Sequence, residues 1–136
     1  GEFKIVKRIE QLNAAGTLTP EFTESAKHGK WTSYNERGEK ISVGNYDEGV
    51  KEGKWTHYQP GGLLIANEMN YKKGELHGKV TSFNRSGKLE SELEYKENQK
   101  HGDAKIYDKK GKLLSHKVYK EGKIDKVIVD PSLPNK

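Results

Sequence analysis

The side chains best suited to chemistry in this 136-residue chain are its five histidines and its many glutamates. His28, His77 and His101 each stand directly before a glycine, and imidazole at a recurring position invites a metal site. His57 and His116 are placed singly, without the short paired spacing of metal ligands. Glu90, Glu92 and Glu94 alternate along one segment. Acid–base catalysis needs a cleft that drives carboxyl pKa values apart, whereas alternating glutamates describe the solvated face of a strand. Cysteine is absent, which excludes thiolate ligands, a cysteine nucleophile and disulfides. Glycine-rich phosphate loops and a Gly-x-Ser-x-Gly elbow are missing too. The reading is a non-enzyme with no catalytic residue, no metal ligand and no cofactor.

The aromatic residues offer a different chemistry, that of contact. Trp31, Tyr34, Trp55, His57 and Tyr58 fall close together in the N-terminal half and form the candidate protein-contact surface, because large aromatics dominate interface energetics. Tyr46, Tyr71, Phe83, Tyr95, Tyr107 and Tyr119 read instead as structural residues of a repeat.

The elements that must position these residues emerge from that repeat. Gly29-Lys30-Trp31-Thr32-Ser33-Tyr34 recurs as Gly53-Lys54-Trp55-Thr56-His57-Tyr58, as Gly78-Lys79-Val80-Thr81-Ser82-Phe83 and as Gly102-Asp103-Ala104-Lys105-Ile106-Tyr107, a period of 24 or 25 residues. A turn glycine follows each copy, at Gly38, Gly62, Gly87 and Gly111. A second segment then runs to Tyr46, Tyr71, Tyr95 or Tyr119 and a further turn. In Leu89 to Tyr95, Leu89, Ser91, Leu93 and Tyr95 alternate with three glutamates at period two, which is a strand pattern, and the glycines would break any helix. The fold class expected is all-β: an elongated, single-layer antiparallel meander of tandem β-hairpins. Successive histidines of the column then lie two strands apart, about 10 Å, too far to share an ion that needs its nitrogens at roughly 2.0–2.1 Å.

At its ends the pattern wears out. Gly1-Glu2-Phe3 (residues 1–3) reads as a cloning remnant, so targeting information upstream of residue 4, and with it localisation, is not legible. Ile5, Ile9 and Leu12 fall at helical spacing before Gly16. Residues 4–16 are therefore read as an N-terminal cap, a short helix with a worn strand as the alternative. The array covers 17–129, and 130–136, beginning Asp130-Pro131, is a frayed tail. Hydrophobic residues are 31% of the chain and charged residues 33%, too little apolar content for a deep two-layer core. The net charge of +5 comes from 25 basic residues interspersed with 20 acidic ones, which does not make the clustered footprint of nucleic-acid binding.

The columns from Tyr46 through Gly62 resemble the MORN repeat, and more closely its bacterial variant, found in YwqK-like antitoxin components. The resemblance spans about Phe22 to Lys126, departing from the pattern at Val80, Ala104, Asn98 and Lys126. It implies an extended sheet of hairpins without catalytic residues that serves as scaffold or binding surface. The leading expectation is a bacterial protein–protein interaction module, its partner another protein, with self-association through the end strands as a further route. The alternatives are an antitoxin or immunity protein that neutralises a toxin, and an envelope protein that binds an anionic membrane surface.

Overall fold

The structure is a computed structural model that describes the backbone of residues 1–12 and 18–130 and the side chains of residues 1–4 and 26–130. Its strands are β1 (Glu2–Leu12), β2 (Leu18–Tyr34), β3 (Lys40–Asp47), β4 (Val50–Tyr58), β5 (Ile65–Lys72), β6 (Glu75–Leu76), β7 (Gly78–Phe83), β8 (Leu89–Lys96), β9 (Gln99–Tyr107), β10 (Leu113–Lys120) and β11 (Lys123–Val129). All lie in one antiparallel sheet in chain order, with β6 a short extension beside β5. The meander expected from the repeat is therefore the fold.

The capping helix is not formed. Residues 2–12 are strand, paired with β2 from Glu2↔His28 to Leu12↔Leu18. An apolar pair four residues apart suits a helix face and a strand face equally, and here the long partner β2 decides between them. Residues 13–17 and the tail beyond Asp130 lie outside the described residues.

Cross-strand registers gather the core into a ribbon running along one face. Trp31 pairs with Gly44, Trp55 with Met69, Val80 with Leu93 and Leu93 with Ala104. Bulky residues face small ones at Trp31–Gly44 and Leu93–Ala104, and bulky residues pair at Trp55–Met69 and Val80–Leu93, so that a single layer packs without a second sheet. Gly44 is the extreme case. Its backbone is not left-handed; the requirement is space, because a Cβ there would fall inside the Trp55 indole. Trp55 is only 3% exposed, its Nε1–H donates to the Asn45 carbonyl at 3.0 Å, and its ring meets Tyr46 edge to face at 4.9 Å.

Beside the ribbon, each repeat tyrosine stands opposite a repeat glycine, as Tyr46↔Gly29 and Tyr71↔Gly53 do. These glycines do not serve hairpin turns. Gly53 (φ 73°) and Gly102 (φ 108°) lie within strands, where the register shifts between Val43 and Asn45 and between Leu93 and Tyr95. They are bulge residues that need positive φ. At Gly102 the Glu94 carboxylate occupies the place of a side chain and accepts the Asp103 N–H at 3.2 Å.

The two edges of the sheet carry two kinds of turn. Along one edge lie two-residue loops such as Glu48-Gly49 and Lys73-Gly74, with positive φ at both positions between the closing pairs Asp47↔Val50 and Lys72↔Glu75. That is the geometry whose twist matches a hairpin. Each loop is tied one repeat back: Gly49 N–H donates to the Lys27 carbonyl at 2.8 Å and Gly74 N–H to Lys51 at 3.0 Å. Lys4 and Glu48 pair at 2.7 Å on this edge, which raises the Lys4 pKa and lowers that of Glu48.

Candidate functional site

The opposite edge is built from four longer turns, and three follow one rule. Asn35 Oδ1 accepts the N–H groups of Arg37 and Glu39 at 2.9 and 3.0 Å. Asn84 Oδ1 does the same for Ser86 and Lys88, and Asp108 Oδ1 for Lys110 and Lys112. A short polar side chain that folds back onto its own backbone is what makes Asn and Asp turn formers.

The β4–β5 turn departs from this rule in three ways. Gln59 replaces Asn or Asp, and its longer side chain reaches away from its own turn to the carbonyls of Phe83 and Asn84, at 3.3 and 3.1 Å. The loop also holds one residue more. Gly62 N–H donates to the Gln59 carbonyl and Gln59 N–H to the Leu64 carbonyl, whereas in β2–β3 Gly38 N–H donates to Asn35 and Asn35 N–H to Glu39. Gly62 thus matches Gly38 and Leu64 matches Glu39, which leaves Leu63 as the insertion that lengthens this repeat to 25 residues. Leu63 is 90% exposed, the most exposed large hydrophobic side chain among the described residues, and Leu64 is 45% exposed in the column of Glu39, Lys88 and Lys112.

This apolar tip is held firmly in place. Glu39 Oε2 accepts the Gly61 N–H at 2.9 Å, and a Cβ on Gly62 would lie 2.7 Å from the Lys40 nitrogen, so the tip is clamped to the preceding turn as well as to the following one. A recess opens on either side of it. One of about 530 Å³ is lined by Arg37, Ile41, Tyr58 and Pro60 among others. The other, of about 580 Å³, is lined by Pro60, Leu63, Leu64 and Arg85 among others.

The residues singled out from sequence divide between packing and surface. Trp55 is buried in the ribbon. Trp31 is part-buried, its ring between Phe3 and Tyr46 at 4.9 and 6.3 Å, with Lys27 4.9 Å above it. Lys51 lies likewise over Trp55 and Tyr71, at 4.8 and 5.1 Å, so the tryptophan column forms the sheet's own aromatic stack with cationic lids. His57 belongs to a polar row on the same face and contacts Asn67 at 3.0 Å. Tyr34 is 57% exposed. Tyr58 is half-buried and reaches the turn edge, where it lines the first recess and lies under Lys40 at 5.6 Å. Of the candidate contact residues, Tyr58 is the one that lines a recess beside the tip. Gln59 and Leu63 were missed, although the signal was available: Tyr71 follows Tyr58 by 13 positions where Tyr46 follows Tyr34 by 12.

Two histidines of the column have a backbone role. His28 Nδ1 and His101 Nδ1 accept the N–H groups of Glu48 and Glu121, both at 3.4 Å, and Glu52 does the same for Lys73 at 2.8 Å. Each receives the N–H of a residue with positive φ. Among the described residues no three His, Asp or Glu side chains converge as a metal site. Glu92 and Glu94 sit on the polar face beside Lys105 and Lys79, around a recess of about 70 Å³. Glu90, expected with them, is the bulge residue between the Phe83↔Leu89 and Ser82↔Ser91 pairs.

A family model described as a MORN repeat variant matches residues 27–48, 76–97 and 100–121. These three segments are thus similar to MORN-variant repeats, a non-catalytic repeat type whose members are generally protein- or membrane-binding modules. The matches leave out residues 49–75, the repeat with the inserted leucine. No curated protein matches the chain.

Proposed function

We propose that this protein is a non-enzymatic interaction module that binds a protein partner at the β4–β5 tip. The observation that carries the reading is the inserted Leu63. An exposed leucine followed by a second, in a column otherwise charged, has no packing role in the sheet, yet the turn that bears it is hydrogen-bonded on both flanks. Rigid presentation of an apolar side chain between two recesses is the arrangement of an interface anchor, since ordering costs are met before binding. The aromatic ribbon is the scaffold that fixes the spacing of the turns. The antitoxin alternative has no feature of its own on the sheet and is not adopted.

The test compares the wild-type chain with Leu63→Asp/Leu64→Asp and Ile124→Asp/Ile128→Asp as baits for the native partner. A stoichiometric partner retained by the wild type and by the β11 variant, and lost from the tip variant with unchanged circular dichroism, supports the reading. Retention by the tip variant overturns it.

A further inference from the structure

The turn edge also carries an unbalanced charge. Beyond the apolar tip, the next two turns expose Arg85, Lys88, Lys109, Lys110 and Lys112, and none of the five is in an ion pair among the described residues. The one acid within those turns, Asp108, has Oδ1 committed to the Lys110 and Lys112 N–H groups. Between these turns lie two more recesses, of about 310 and 330 Å³, both floored by Leu89 and Tyr107. The edge is therefore a series of furrows with apolar floors and an excess of cations on their borders, five against the carboxylates of Glu90 and Asp108 that line the recess of about 310 Å³.

The gaps between successive turns recur once per repeat, two strands apart, and so about 10 Å from one to the next, the last of them holding the two recesses over Leu89 and Tyr107. An extended polyproline-II segment rises about 3.1 Å per residue, and every third side chain points the same way at intervals of about 9.3 Å. The two spacings agree to within an ångström or so.

Resting on the interaction-module reading, we propose that the partner presents an extended acidic segment with an apolar residue at every third position. It lies along the turn edge from Leu63 to Lys112. Its apolar side chains enter the furrows, and its carboxylates face Arg85, Lys88 and the lysines of the last turn. Concave furrows at a fixed spacing suit discrete side chains; a lipid surface would engage the Leu63 knob and the cations and leave the furrows empty.

The experiment measures fluorescence anisotropy of a labelled synthetic peptide, leucine at every third position with glutamates between, against the full chain. Binding should weaken as salt rises, since the paired charges are exposed. It should fall at least about tenfold for Arg85→Glu/Lys110→Glu, where attraction becomes repulsion, and as much for a peptide with leucine at every second position. Equal binding by the charge-reversed chain overturns the proposal, as does tight binding of phosphatidylserine vesicles with none of the peptide. The native partner separates this inference from the reading beneath it. A partner lost from Leu63→Asp/Leu64→Asp but kept by Arg85→Glu/Lys110→Glu leaves the interaction module standing and removes the acidic segment.

Discussion

The complementary packing of Gly44 against Trp55 predicts a double-mutant cycle. Gly44→Leu places a side chain where the indole lies, so the ring must leave its site. That forfeits the hydrogen bond to Asn45, about 1 kcal/mol, the edge-to-face contact with Tyr46, about 1 kcal/mol, and the Lys51 contact, about 0.5 kcal/mol. With some loss of burial the cost is about 3 kcal/mol. Trp55→Ala alone leaves a cavity and costs about 3–4 kcal/mol. Together the two substitutions rebuild the Leu93–Ala104 pair that the sheet already contains. The double variant should therefore lose only about 3–4 kcal/mol where additivity gives about 6–7, a coupling of about 3 kcal/mol. Urea denaturation followed by circular dichroism reads all four corners, with the slope checked for constancy. Additive losses would refute the claim that this pair is chosen for mutual fit.

Three further outcomes follow from the same contacts. Asn84→Ala removes the acceptor of two turn N–H groups and should cost about 1 kcal/mol by urea denaturation, whereas Asp108→Asn keeps the acceptor and should stay within about 0.5 kcal/mol. Lys51→Leu should also stay within about 0.5 kcal/mol, because Leu76 already occupies that column, while Lys51→Glu should cost about 1 kcal/mol by placing an anion against the aromatic faces. Burial raises the Tyr71 pKa above its ordinary value of 10.0. The unfolded chain then loses this proton first, so stability is complete below about pH 10 and declines as pH rises towards the folded pKa. In thermal melts across that range, Tyr71→Phe should make the alkaline decline shallower; an unchanged slope would mean that Tyr71 does not contribute.

The repeat made most of this architecture readable in advance, for physical reasons. Hairpin turns demand Gly, Asn or Asp at fixed positions, and a half-buried strand demands period two, so Leu89 to Tyr95 admitted one interpretation. The N-terminal segment was ambiguous because Ile5 and Ile9 satisfy both periodicities, and the choice rested on β2, a partner that local pattern does not contain. Bulges were invisible for a related reason: Gly53 looks like any turn glycine until the register shift between the Val43↔Thr56 and Asn45↔Glu52 pairs is known. The tryptophans misled because an aromatic suited to an interface is also suited to filling the space above Gly44. The proposed binding edge left a trace in the extra residue between Tyr58 and Tyr71, but singling out Leu63 required knowing that its neighbours Gly62 and Leu64 keep the positions of Gly38 and Glu39.

The most direct test of the account is photo-cross-linking in native cells from a benzoylphenylalanine placed at position 63, compared with one at position 72 on the opposite edge. A discrete adduct of one size from position 63 and none from position 72 is the predicted result. Adducts of equal yield from both positions, or none from position 63, would contradict the assignment of the β4–β5 tip as the contact site.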